Sequence, residues 1–253
     1  MAIAFVKEVG TVEVSDSLDS ITLTIPAAGV AAGNLLSITV ISELDTQTVL
    51  SVADTPGNTY TVGVTQQVAA GDTFRITEIF AIATTALVQF DTISVTLSTA
   101  TFSAKKLKVL EFSGTDSVPN DGATSAKDDA FPRTVVFTNL DSGSITPTDA
   151  AGIAVGHVGI EFGLIDEVLS ASANSAPPGW VGTMRGTFLI GGLTGLHSQS
   201  ATWTSTGATS SGPFANISDH YFGSTIRAFK AAGGPPPPPG FTTRTGGVQV
   251  AGP

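Results

Sequence analysis

Two stretches, SITLTIP and TISVTLS, place an apolar residue at every second position: Ile21, Leu23 and Ile25 in the first, Ile93, Val95 and Leu97 in the second, with Thr and Ser between them. A helix repeats every 3.6 residues and would scatter these side chains around its axis, whereas a strand sends all of them to one face. Each stretch therefore reads as a strand with one buried and one wet face. The same logic marks further strands in AFVKEVGTVEV, NLLSITVIS, TYTVGVTQQV, TFRITEIFAIA, KLKVLEF, RTVVFTNL, GIAVGHVGIEF, GTFLIGGL, ATWTST and STIRAFKA. Around FGLIDEVLSAS the apolar residues allow one or two helical turns. DTPGN puts Pro56 and Gly57 where a type II turn needs a fixed negative φ followed by a positive one, and SAPPGW is similar. A run of short strands punctuated by Gly, Pro, Asn and Asp predicts an all-β chain, an antiparallel β-sandwich of jelly-roll type over residues 1–231.

The sandwich ends at a proline run. AAGG followed by Pro235, Pro236, Pro237, Pro238 and Pro239 cannot join a sheet, because proline has no amide donor, and it favours an extended spacer of about 15 Å. Residues 232–240 are thus a Gly/Pro-rich spacer. Residues 241–253 are too few to own a core, and GGVQVAG is suited to add as a strand to a neighbour's sheet edge, with Val248 and Val250 filling pockets on one side. This C-terminal extension reads as a docking tail.

Charge narrows the partners. The net charge is −10 and the isoelectric point near 4.5, and up to Gln67 the only base is Lys7. Such a surface repels nucleic acid and anionic membranes. The one basic cluster, KKLK at Lys105, Lys106 and Lys108, reads as a solvated strand edge. No cysteine is present, so disulfides and thiolate metal sites are excluded. The opening MAIAFVKEVG has too short an apolar run for a signal peptide, and no apolar stretch is long enough to span a bilayer as a helix. Mean hydropathy is +0.29, which is compatible with apolar surface left over for self-association into a homo-oligomer.

Reaction chemistry is sparse. GxSxG, GxxxxGK[ST] and HExxH motifs are all missing. A polysaccharide-cleaving site would need two carboxyl groups, for which Glu78, Glu111 and Glu161 on strand faces are the candidates, with His157 beside Glu161; the closely spaced acidic signature of β-sandwich glycosidases is absent. The expectation is a non-enzyme. Oxygen donors for a candidate calcium site occur in DTPGN, as Asp54 and Asn58, and in GTDSVPNDG, as Asp116, Asn120 and Asp121; neither has the DxDxDG spacing, and turn formation is the competing reading. For a glycan, Trp180 after APPG is the best stacking platform, while Trp203 reads as a strand position.

Four stretches together, TLTIPAAGVAAGNLLSITVIS, VADTPGNTYTV, KLKVLEFSGTD and HYFGSTIRAFKAA, resemble β-sandwich virion structural proteins of tailed bacteriophages, of tail-associated, fibre or capsid-decorating type. The resemblance covers residues 20–231. It implies a surface role on a virion, alongside other virion proteins, with assembly in the host cytoplasm, and it transfers no site residue. The alternative is a receptor- or glycan-binding adhesin that attaches to a host surface.

Overall fold

The computed structural model describes residues 2–44, 46–68, 74–129, 140–141, 145, 149, 152–161, 170–171, 181–189, 196–204, 213–215 and 221–233. Within these the chain is all-β, a sandwich of antiparallel sheets. The strands are β1 (Ala4–Asp16), β2 (Ser20–Thr24), β3 (Leu35–Ser42), β4 (Val49–Asp54), β5 (Thr61–Val68), β6 (Phe74–Ile82), β7 (Thr92–Leu97) and β8 (Ser103–Ser113) in the first half. The second half adds β9 (Thr115–Asp129), β10 (Leu140–Asp141), β11 (Ile153–Glu161), β12 (Ser170–Ala171), β13 (Val181–Leu189), β14 (Leu196–Thr204), β15 (Pro213–Ala215) and β16 (Tyr221–Ala231).

Three of the sheets stack. A central five-stranded sheet, in the order β1-β8-β3-β6-β5, is covered on one face by the three-stranded sheet β2-β7-β4 and on the other by a second five-stranded sheet, β13-β14-β11-β16-β9. The short strands β10, β15 and β12 form a further small sheet. Because the central sheet is covered twice, β3 is buried at every position and β8 at every position but its last.

The two alternating stretches behave as their pattern predicts. Ile21, Leu23 and Ile25 from the β2 stretch and Ile93, Val95 and Leu97 from β7 form one apolar layer with Leu36, Ile38, Val40, Ile79, Leu107 and Val109 of the central sheet. Register is tight, since Ile21 stands opposite Val95 and Leu23 opposite Ile93. Shifting either strand by one residue would turn its apolar set to water. Gly57 takes the positive φ its turn requires, 84°.

β4 and β9 were not legible as strands. β9 pairs antiparallel with β16 through two register shifts, so its Pro119, Asn120 and Asp121 sit at irregular positions where an interrupted ladder costs little. The chain passes from the central sheet into β9 at Gly114, whose φ of 79° favours glycine and where a Cβ would lie 2.4 Å from the Ala2 carbonyl oxygen. Of the FGLIDEVLSAS stretch only Ser170–Ala171 falls among the described residues, and it is strand β12.

The lysine cluster corrects the expectation of a solvated edge. β8 lies between β1 and β3, and Lys105, Lys106 and Lys108 are all buried. Three lysines on an inner strand are tolerated because β1 carries their partners. Lys105 Nζ donates to Asp16 Oδ1 at 2.8 Å and to the Asp16 and Leu18 carbonyls at 3.1 and 2.8 Å, while Lys106 Nζ lies 3.3 Å from Glu13 Oε2. The long stems fill apolar space and the heads reach the acids of the neighbouring strand.

Candidate functional site

The chemistry-bearing side chains gather in a polar belt between the central sheet and the second five-stranded sheet. Each contributing strand is apolar on both sides of it. On β8, Ala104 precedes Lys106 and Lys108, and Leu110 and Phe112 follow; on β3, Ser37 and Thr39 lie between Leu35 and Ile41; on β6, Glu78 lies between Ile76 and Phe80. From the other sheet come His157 on β11 and Thr225 and Arg227 on β16. Two apolar clusters close the belt at its ends.

Glu78 is its centre. Arg227 Nε donates to both carboxylate oxygens, at 3.0 and 2.9 Å, and Glu78 is 0% exposed. The guanidinium is held further by Asn120 Oδ1, 2.9 Å from its Nη1, and lies 4.7 Å from the centre of the Phe80 ring. Space for the pair is made by Gly63, where a Cβ would come within 2.7 Å of both Glu78 Oε2 and an Arg227 nitrogen. Burial raises the Glu78 pKa, and the Arg227 charge works against that rise.

His157 is fully buried, and its Nε2 lies 2.9 Å from Ser37 Oγ. Burial, and then the nearby Lys108 charge, push its pKa down to about 3, so the ring is neutral. Burial likewise pushes Lys108 down to about 8, with Glu8 opposing and Lys106 adding to the drop. Thr39 and Thr225 each keep a buried hydroxyl without a hydrogen-bond partner.

Of the strand carboxylates considered for glycan cleavage, Glu78 and Glu111 do not share one cleft. Glu78 faces the belt, whereas Glu111 leaves the opposite face of the central sheet, where its Oε1 accepts from the Ala31 amide at 2.9 Å and Asn34 Nδ2 at 2.7 Å and its Oε2 lies 3.1 Å from Lys7 Nζ. Glu161 ends β11, opposite Leu196 and Tyr221.

Of the calcium candidates, Asp54 closes the turn that follows β4. Asp54 accepts from the Gly57 and Asn58 amides, from Asn58 Nδ2 and from the Tyr60 hydroxyl, each at 2.7 Å. Asn58 in turn binds Thr84 and Thr85, tying the end of β4 to the end of β6. Asp116 Oδ1 accepts from the Val118 amide at 2.9 Å, which holds its carboxyl below the usual range, and Asp121 is buried. Among the described residues no group of three or more His, Asp and Glu side chains is placed to hold a metal ion. Trp180, Pro235 to Pro239, Val248 and Val250 lie outside the described residues. No described helix is long and apolar enough to cross a membrane.

Sequence reasoning missed Arg227 as the partner of Glu78, since 149 positions separate them. The available signal was a single arginine within the strand STIRAFKA, flanked by apolar residues, which needs an acid wherever it is buried. No protein family matches the chain, and neither a curated protein nor a solved structure shows significant similarity to it.

Proposed function

We propose that the protein is a non-enzymatic structural component of a bacteriophage virion, displayed on the particle as a capsid decoration or as part of the tail or fibre and attached partly through residues 241–253. The particle comes from the resemblance of residues 20–231. The non-catalytic role is supported by one observation above all: Glu78 is closed off by Arg227, whose Nε donates to both of its carboxylate oxygens, and has no exposed surface. A general acid or nucleophile must reach a substrate atom at about 3 Å, and this carboxylate is engaged by Arg227 and the backbone around Val64. Spent this way, charges lock layers together instead of moving protons, which suits a part whose work is to stay folded on a surface.

Electron microscopy of particles carrying a label fused to this chain tests the reading. Density at regular positions on the capsid or tail is the expected result, and label found only in the unassembled fraction overturns it. Removing residues 235–253 is expected to lower incorporation into particles, and undiminished incorporation would exclude the tail as an attachment device. Binding on a glycan array that is lost in Trp180→Ala would favour the adhesin instead, and glycan cleavage that is lost in Glu78→Gln would favour an enzyme.

A further inference from the structure

Lys7 sits between two irregularities of the edge strand β1. Its register with β8 shifts between Phe5 and Lys7 and again between Glu8 and Gly10, and bulges of this kind re-aim the side chains beside them. Between the two shifts Lys7 stands directly opposite Glu111 on β8, and Glu111 in turn stands opposite Leu36 on β3. Asn34 lies just before β3 and reaches the same carboxylate. An amine, a carboxylate and an amide are thereby gathered on one face of the central sheet.

The contacts within this group differ from those of an ordinary ion pair. Glu111 is 1% exposed, and its Oε1 is taken up by Asn34 Nδ2 at 2.7 Å and the Ala31 amide at 2.9 Å. Its Oε2 lies 3.1 Å from Lys7 Nζ, yet no directed hydrogen bond reaches it, because the ammonium donates to the Ala28 carbonyl at 3.0 Å. A buried carboxylate oxygen is thus left ready to accept a proton from an amine that is already within general-base reach. The segment that presents the amide is firmly built. Val30 bridges to Leu87, and Gly29, at a φ of 56°, lies so close that a Cβ there would come within 2.6 Å of the Leu87 carbonyl oxygen. Asn34 is therefore held by its own loop and by Glu111, and only the flexible lysine stem has to adjust for Nζ to meet Asn34 Cγ.

We propose that this group closes an isopeptide bond between Lys7 and Asn34, with Glu111 as the proton carrier. Lys7 Nζ gives a proton to Glu111 and attacks Asn34 Cγ; the Cγ–Nδ2 bond then breaks as the new Cγ–Nζ bond is kept. Of the three protons of the lysine ammonium, one stays on the new amide. Glu111, in contact with both nitrogens, relays the other two to Nδ2, so that the amide nitrogen leaves as ammonium and the carboxylate ends as it began. Holding amine and amide on one carboxylate makes an otherwise sluggish encounter intramolecular. The Lys7 side chain is 27% exposed, which gives the leaving ammonium a route to water. The event is a single self-modification without turnover, and it is independent of where the protein is displayed. Its product fastens the edge strand β1 to the entrance of β3, and closing the loop from Lys7 to Asn34 restricts the unfolded chain as a disulfide would.

Peptide mapping by mass spectrometry on the folded, full chain tests it. The peptide containing Lys7 is expected to be joined to the peptide containing Asn34, the pair lighter than its two parts by one ammonia. Lys7→Arg keeps a cation opposite Glu111 but removes the nucleophile, so the two peptides should separate at full mass and the melting temperature should fall. Glu111→Gln keeps the shape of the side chain but cannot carry a proton, and it too should leave the peptides separate. Because a buried glutamine can also disturb folding, Lys7→Arg, at a partly exposed position, is the deciding variant. Separate peptides at full mass in the unmodified protein overturn the proposal. A loss of ammonia that persists in Lys7→Arg also overturns it, since asparagine can lose ammonia to its own backbone. Joined peptides in Glu111→Gln would overturn the part given to the carboxylate.

Discussion

From one side of β3, Leu36, Ile38 and Val40 enter a predominantly apolar layer; from the other, Ser37 and Thr39 enter a belt of lysine, histidine, glutamate and arginine. Both sides are equally dry. The apolar face gains directly from removing its surface from water, about 25 cal/mol per Å². The charged face has to recover desolvation through ion pairs, and replacing such pairs with apolar groups is commonly neutral or favourable. What the charged face gains is position. An apolar contact tolerates sliding, whereas the charge-assisted hydrogen bonds from Arg227 Nε to both Glu78 oxygens across the layers do not.

The largest expected effect is on the charged face. Arg227→Met leaves Glu78 buried without its partner, and denaturant unfolding at pH 7 should show a loss of about 3–5 kcal/mol. The deficit should widen as pH rises from 4.5, because a carboxyl whose folded pKa lies above its unfolded value loses stability once the unfolded chain ionises. Combining Arg227→Met with Glu78→Leu should recover much of the loss. Failure to recover would mean that the belt contributes net stability. On the apolar face, Leu36→Ala is expected to cost about 2–4 kcal/mol with no such pH dependence.

Next in size comes acid sensitivity. The folded His157 pKa lies near 3 and its unfolded value at 6.5, so between these values the unfolded chain binds the extra proton and stability falls as pH falls. One such group contributes at most about 1.4 kcal/mol per pH unit. His157→Gln, which can still hydrogen-bond Ser37, should flatten the stability profile between pH 6.5 and 4 relative to the unmodified protein. Identical slopes would place the acid sensitivity elsewhere. Lys108 acts at the other end: with a folded pKa near 8 against 10.5 unfolded, its burial penalty is relieved as pH rises through that window.

The two faces also differ in how far they could be read from sequence. Ile21, Leu23 and Ile25 announce a half-buried strand because their neighbours are wet, and the structure places that layer where the alternation puts it. KKLK carries the opposite signal. Lysine on a strand ordinarily means solvent, and only the pairing of β8 between β1 and β3, joining residues about ninety positions apart, brings Asp16 and Glu13 to those ammonium groups. β9 was hidden for a related reason, since Pro, Asn, Asp and Gly mark a loop locally and only the ladder to β16 makes the segment a strand. Of the belt, Glu78 and His157 were visible as polar residues on apolar strand faces. Which groups they meet depends on how separate sheets stack, and no local periodicity encodes that.

The smallest change in stability belongs to Lys106. Lys106 and Arg227 are both buried cations in the belt, and both can be replaced by methionine, which keeps the length of the stem and removes the charge. Their partners differ. The Glu78 side chain is 0% exposed, whereas that of Glu13 is 21% exposed and can turn to water once its lysine is gone. Lys106 is also held in a depressed state by its own burial, a cost that methionine removes. Lys106→Met should therefore change stability by no more than about 1 kcal/mol in either direction, against the several lost in Arg227→Met. If both variants lose the same amount, exposure of the abandoned partner does not govern the cost. The shared loss of a buried cation would then have to be counted as the stabilising feature of this face.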